Sequence, residues 1–156
     1  MQIEIGQKAP EFTLYNSEKK LISLAEYKGK NLLILFFPLA FSSVCTAELC
    51  SVRDNIKIFQ NVRADVLGIS VDSLYSLAAF KNEQKLNFPL LSDFNKEVSV
   101  AYGAFYETFG FGMKGVSKRA AFIVDVNGKI AYAEVLEKAG DQPDFLAIKE
   151  VLGRLS

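Results

Sequence analysis

The sequence predicts an α/β fold, a mixed central β-sheet flanked by helices, and three observations carry that prediction. "NLLILFF" (31–37) is a short, continuously apolar run, the pattern of a strand buried on both faces, and "DVLGISVD" (65–72) reads as a second buried strand. Each is followed by a stretch of helical periodicity, as in strand–helix–strand units whose strands pair in parallel. Later, "AAFIVDVNGKIAYAEV" (120–135) sets two β-rich runs around Asn127-Gly128, the preferred chemistry of a tight antiparallel hairpin. Parallel and antiparallel neighbours together make the sheet mixed.

In chain order, "EFTLYN" (11–16) and "KKLISL" (19–24) read as a short hairpin about the polar turn Ser17-Glu18. The first buried strand lies between Gly29-Lys30 and Pro38. From Ser42 a helix is expected over 43–60, because Val44, Leu49, Val52, Ile56 and Phe59 recur three to five residues apart. "SLYSLAAFKNEQKL" (73–86) is a second helix, with Ser73 as its N-cap. "FPLLSD" (88–93) is a short extended stretch, and "KEVSVAYGAF" (96–105) a short helix ending near Gly103. "DFLAIKEVLGRL" (144–155) closes the chain as an amphipathic helix. No repeat, low-complexity tract or linker divides residues 1–156, so one domain is expected.

Composition narrows the function. Half the residues are hydrophobic, and Lys plus Arg balance Asp plus Glu at 18 each. No net field steers the chain to nucleic acid or to a membrane surface, and neither partner is expected. The apolar run Leu32 to Phe41 is shorter than the about 20 residues of a membrane span, and Pro38 interrupts it. "MQIEIGQKAPEF" lacks the pattern of a secretory signal, so the expected location is cytoplasmic. There a disulfide is catalytic or transient more often than structural.

The chain has no histidine and two cysteines, Cys45 and Cys50. Ser-His-Asp and Cys-His nucleophiles are excluded, as are zinc sites built from His or from four Cys. No cofactor or metal is expected. A reactive cysteine here must draw its stabilisation from a helix N-terminus or from Arg and Lys. "FFPLAFSSVCTAELC" (36–50) provides such a setting. Pro38 stops the strand, Ser42 and Ser43 are capping residues, and Cys45 falls in the first helical turn, where unpaired N–H groups favour a thiolate. The plainer alternative is that Cys45 is a small buried hydrophobe.

The run Pro38-x-x-x-Ser42-x-x-Cys45 resembles the peroxiredoxin active-site signature, Pro-x-x-x-Thr/Ser-x-x-Cys. Its continuation through Thr46, Glu48, Cys50, Arg53 and Asp54 is similar to the PrxQ, or bacterioferritin comigratory protein, subgroup. "GQKAPEFTL" (6–14), "FPLLSD" and "RAAFIVDVNGKI" (119–130) extend the likeness along nearly the whole chain. The resemblance implies a thioredoxin-like fold and thiol-dependent reduction of hydrogen peroxide and organic hydroperoxides, with a thioredoxin-like or other thiol as reductant. It implies that Cys45 is the peroxidatic cysteine, that Ser42 hydrogen-bonds the peroxide or the thiolate, and that Pro38 shields the pocket. Arg119 matches the family's second-segment arginine; in the implied fold its strand runs antiparallel to "NLLILFF", bringing it to the thiol. Glu48 and Arg53 match the subgroup pattern as a supporting pair on one helix. Because Glu48 by itself disfavours a thiolate three residues away, Arg53 or Arg119 must offset it. Arg63 and Arg154 are expected on the solvated surface.

Residues five apart on an ideal helix are rotated by about 140°, with Cα atoms roughly 8.6 Å apart. A disulfide needs less than about 7 Å. So either Cys50 is a bystander, or the helix unwinds after Cys45 is oxidised; the subgroup resemblance implies the second, with Cys50 as resolving cysteine. The rivals are a one-cysteine peroxiredoxin resolved by an external thiol, and a thioredoxin-like thiol–disulfide oxidoreductase. The stretch 102–115, rich in Phe, Tyr and Gly, is expected as a loop packed over the core, with an apolar collar or a homodimer patch as alternatives.

Overall fold

The computed structural model describes residues 2–156. The hairpin β1 (Thr13–Tyr15) and β2 (Leu21–Ser23) opens the fold. Asn16 pins its turn, its side-chain oxygen accepting from the N–H groups of Glu18 and Lys20 at 2.9 and 3.0 Å. The chain continues through β3 (Asn31–Phe36), α1 (Ser43–Asp54), α2 (Ile56–Asn61), β4 (Ala64–Ser70), α3 (Leu74–Gln84), β5 (Leu90–Ser92) and α4 (Glu97–Ala101). A second hairpin, β6 (Phe105–Thr108) and β7 (Lys114–Ser117), precedes β8 (Ala120–Val124), β9 (Ile130–Val135) and α5 (Phe145–Leu155).

The central sheet has the order β5-β4-β3-β8-β9. β3 pairs in parallel with β4, and β4 with β5, while β8 runs antiparallel to both β3 and β9. β3 lies at the centre, and its period of two divides the apolar run from Leu32 onward between two cores. Leu33, Leu35 and Phe37 pack with Leu49, Val52, Phe59, Leu77, Phe80, Ile148 and Leu152, so α1, α2, α3 and α5 cover one face. Leu32, Ile34 and Phe36 pack with Phe12, Leu24, Tyr102 and Phe122 on the other. Each such side chain removed from water contributes about 1.5–3 kcal/mol, which makes β3 the anchor of the fold.

Two features depart from the sequence reading. The helix expected over 43–60 divides at Asn55, whose φ of −112° and ψ of 20° are not helical. Asn55 Nδ2 donates to the Ser51 carbonyl at 2.8 Å, and a side chain that bonds its own helix's backbone in this way competes with continued helix. The stretch 102–115 is not a plain loop, because β6 and β7 pair antiparallel with Phe105 opposite Ser117. Tyr106 and Phe109 stack at 5.3 Å, while Phe111, at φ 59°, stands fully exposed at the hairpin tip. Among the described residues no helix is long and apolar enough to cross a membrane.

Candidate active site

The site forms where β3 ends and α1 begins. Phe37 is still tied to β4, its N–H donating to the Ile69 carbonyl at 3.0 Å. Pro38, buried, then ends the ladder because it has no N–H to donate. The connecting loop is held from the side by Asp72, beyond β4, whose Oδ2 accepts from the Ala40 N–H at 2.8 Å and from Ser70 Oγ at 2.7 Å. Within the loop Ser42 Oγ donates to the Leu39 carbonyl at 2.8 Å. Ser42 occupies the N-cap position with extended backbone, yet its hydroxyl makes no cap bond to α1. The N-cap role expected of that side chain is therefore not made; the Leu39 carbonyl holds its proton instead.

Cys45 lies in the first turn of α1 and is completely buried. Arg119 reaches it from the start of β8. The antiparallel register, with Phe36 opposite Ala120, sets the beginning of β8 beside the end of β3, as expected. Arg119 is 1% exposed, and each of its guanidinium nitrogens has a partner. Nη2 donates to Cys45 Sγ at 3.3 Å, Nη1 to Glu48 Oε1 at 2.7 Å, and Nε and Nη2 to the Ala139 carbonyl at 3.1 and 2.9 Å. This planar fork orients the cation on the sulfur as a lysine could not. Burial opposes the guanidinium's charge, but Cys45 and Glu48 outweigh that and raise its pKa above the ordinary arginine value.

Glu48 faces the same cation. Burial pushes its carboxyl up to about 7 against the pull of Arg119, and Glu134 of β9 adds to the rise. Its Oε2 is buried without a hydrogen-bond partner. One buried cation thus serves two buried acids. A protonated Glu48 leaves the Arg119 charge to the sulfur.

The structure corrects the expected pairing of Glu48 with Arg53. Five residues apart on α1, their side chains diverge by about 140°. Glu48 turns inward to Arg119, whereas Arg53 Nε bonds Asp54 at 2.9 Å and its Nη1 bonds the Gln84 carbonyl. Cys50 lies on the Arg53 side, half-buried, its Sγ donating to Gln84 Oε1 at 3.4 Å. Both thiols are free, on opposite sides of one intact helix. Arg63 and Arg154 are exposed, as expected. Sequence reasoning did not find Asp72, Gln84 or the Ala139 carbonyl.

Comparison with known proteins decides the family. The AhpC/TSA family model matches residues 5–133. The chain belongs to the AhpC/TSA family. The alkyl hydroperoxide reductase E of Mycobacterium bovis is 39% identical over 157 residues, covering 99% of each chain. A chloroplastic 2-cysteine peroxiredoxin of Chattonella marina is 38% identical over 146 residues, 86% of this chain and 72% of that one. Among solved structures, peroxidoxin BcpB of Mycobacterium tuberculosis superposes with a TM-score of 0.83 at 26% identity, over 99% of this chain and 97% of its own. A PrxQ mutant from Xylella fastidiosa, at 24% identity and TM-score 0.84 over 99% and 96% of the two chains, shares the fold. The sheet and its flanking helices are thioredoxin-like, and the family is one of thiol-dependent peroxidases acting on peroxides with thiol reductants.

Proposed function

We propose that Cys45 reduces hydrogen peroxide and organic hydroperoxides, that Cys50 resolves the oxidised Cys45, and that an external thiol, thioredoxin-like or other, returns both to the reduced state. The observation that carries the reading is the 3.3 Å bond from Arg119 Nη2 to a wholly buried Cys45 Sγ in the first turn of α1. A thiol kept only for packing needs no buried guanidinium aimed at it.

In the first step the Cys45 thiolate attacks the terminal oxygen of the peroxide. An S–O bond forms, the O–O bond breaks, and the sulfur gives up an electron pair to become a sulfenic acid. The departing alkoxide or hydroxide takes a proton and leaves as alcohol or water. Arg119 is the preorganised donor for the charge that grows on the leaving oxygen. Pro38, buried at the strand end, keeps water from the sulfur, and Ser42 turns from the Leu39 carbonyl to the peroxide. In the second step α1 unwinds locally and Cys50 sulfur attacks Cys45 sulfur. An S–S bond forms, the S–O bond breaks, and the hydroxyl leaves as water with the Cys50 proton. The external dithiol then supplies two electrons to reduce the disulfide. A reducing cytoplasm suits this cycle, since it keeps such a disulfide transient.

The test is rapid-mixing peroxide consumption by the protein alone, without reductant. Wild type consumes one equivalent, Cys50→Ser consumes its first at an undiminished rate, and Cys45→Ser consumes none on that timescale. Equal consumption by Cys45→Ser and wild type removes Cys45 from the chemistry.

A further inference from the structure

The second half of α1 is gripped by the end of α3 and the loop beyond it. Cys50 Sγ donates to Gln84 Oε1 at 3.4 Å, Arg53 Nη1 donates to the Gln84 backbone carbonyl, and Asn87 Nδ2 donates to the Arg53 carbonyl at 3.2 Å. Gln84 is the last residue of α3, where unpaired carbonyls await donors, and Arg53 supplies one with a positive charge suited to that helix end. One residue therefore holds Cys50 by its side chain and Arg53, three positions on, by its backbone. The grip lies on the side of α1 away from Arg119, which holds Cys45 and Glu48.

We infer that Gln84 is the positioning residue for Cys50, a clasp that keeps the resolving thiol parked until Cys45 has been oxidised. The inference rests on the reading of Cys50 as the resolving cysteine. While the S–H bond to Gln84 stands, α1 stays helical and the two sulfurs stay apart. To resolve, Cys50 leaves Gln84 Oε1, its proton is given up as the S–S bond to Cys45 forms, and the sulfenic hydroxyl departs as water. The clasp thus sets the delay between the two steps. During that delay a second peroxide can carry the sulfenic acid on to sulfinic acid, so Gln84 also sets the sensitivity to over-oxidation.

Gln84→Met keeps the length of the side chain and removes its oxygen acceptor. Loss of one weak sulfur hydrogen bond predicts disulfide formation faster by about two- to fivefold relative to Cys45 oxidation in the same single-turnover trace, with less sulfinic acid at high peroxide. Gln84→Glu restores an oxygen in the same place beside Arg53, and returns resolution to the wild-type rate or below it. The readout is the ratio of the two steps, which a merely structural role leaves unmoved. A Gln84→Met variant with the wild-type ratio and sulfinic yield overturns the clasp, as does one that slows both steps together with a lowered Tm. Cys50→Ser run in parallel separates the two ideas. If Cys50→Ser cycles normally with a dithiol reductant, the resolving role itself is lost; if it stalls while Gln84→Met behaves as wild type, only the clasp is lost.

Discussion

Cys45 and Glu48, three residues apart on α1, are bonded to the same buried guanidinium, Cys45 Sγ to Arg119 Nη2 at 3.3 Å and Glu48 Oε1 to Nη1 at 2.7 Å. Two acids and one cation buried together cannot all be charged at little cost. The pushed-up carboxyl of Glu48 relieves this frustration.

Stability should carry its signature. The Glu48 carboxyl rises from 4.5 to about 7 on folding, so the folded protein holds a proton that the unfolded chain releases. The associated stability is fully present below pH 4.5 and is lost as pH rises through about 7. The chain has no histidine to titrate in this window. Denaturant melts from pH 5 to 7.5 should show stability falling by about 2 kcal/mol in wild type, and a markedly flatter profile in Glu48→Gln. Equal slopes for the two proteins would remove Glu48 as the source.

Arg119→Lys keeps the charge and loses the fork. One ammonium cannot serve Cys45, Glu48 and the Ala139 carbonyl together, so the single-turnover rate with peroxide should fall on the order of 10²–10³-fold. Stopped-flow rates in Cys50→Ser, with and without Arg119→Lys, measure this directly. A Lys variant as fast as its parent would move the role elsewhere.

Asp72→Ala removes the acceptor for the Ala40 N–H and for Ser70 Oγ. Leaving a partly buried N–H unpaired should cost about 1–3 kcal/mol in chemical denaturation. The loop from Pro38 to Ser42 loses its side anchor, so peroxide reactivity should drop as well, whereas Asp72→Asn, which retains an oxygen, should recover most of both.

Oxidation should loosen α1 at its start. Hydrogen exchange comparing the reduced and disulfide forms should show faster exchange at Thr46, Leu49 and Cys50 after oxidation, with β3 and β8 unchanged. Opening a helix end is cheap beside global unfolding, and the new covalent bond offsets it. Identical protection of α1 in both forms would contradict the unwinding step.

The parts of this molecule legible in the sequence are those with a strong local period or a fixed spacing. β3 and β4 showed as short, mostly apolar runs because both faces are covered, and Asn127-Gly128 marked the β8–β9 turn, where Gly128 has φ 80°. Pro38, Ser42 and Cys45 stood at the spacing of the peroxiredoxin signature they resemble, and Arg119 followed from the same resemblance, whose implied fold sets its strand antiparallel to β3. The β6–β7 hairpin was hidden because Gly110, Gly112 and Gly115 and closely spaced aromatic residues blur any alternation. Glu48 and Arg53 looked like partners because both match the subgroup pattern on one helix; their separation of five places them on different sides of it. Ala139 contributes a backbone carbonyl, which every residue carries, so no side chain advertises it. Gln84 meets Cys50 across 34 positions, a pairing that only the packing of α3 on α1 creates.

The central claim is that Cys45 takes the oxygen and Cys50 removes it. Intact mass with peptide mapping after one equivalent of peroxide tests it most directly. Wild type should lose two hydrogens to a Cys45–Cys50 disulfide, and Cys50→Ser should gain one oxygen on Cys45. A wild-type protein that retains the oxygen on Cys45, or a first oxidation found on Cys50, would contradict it.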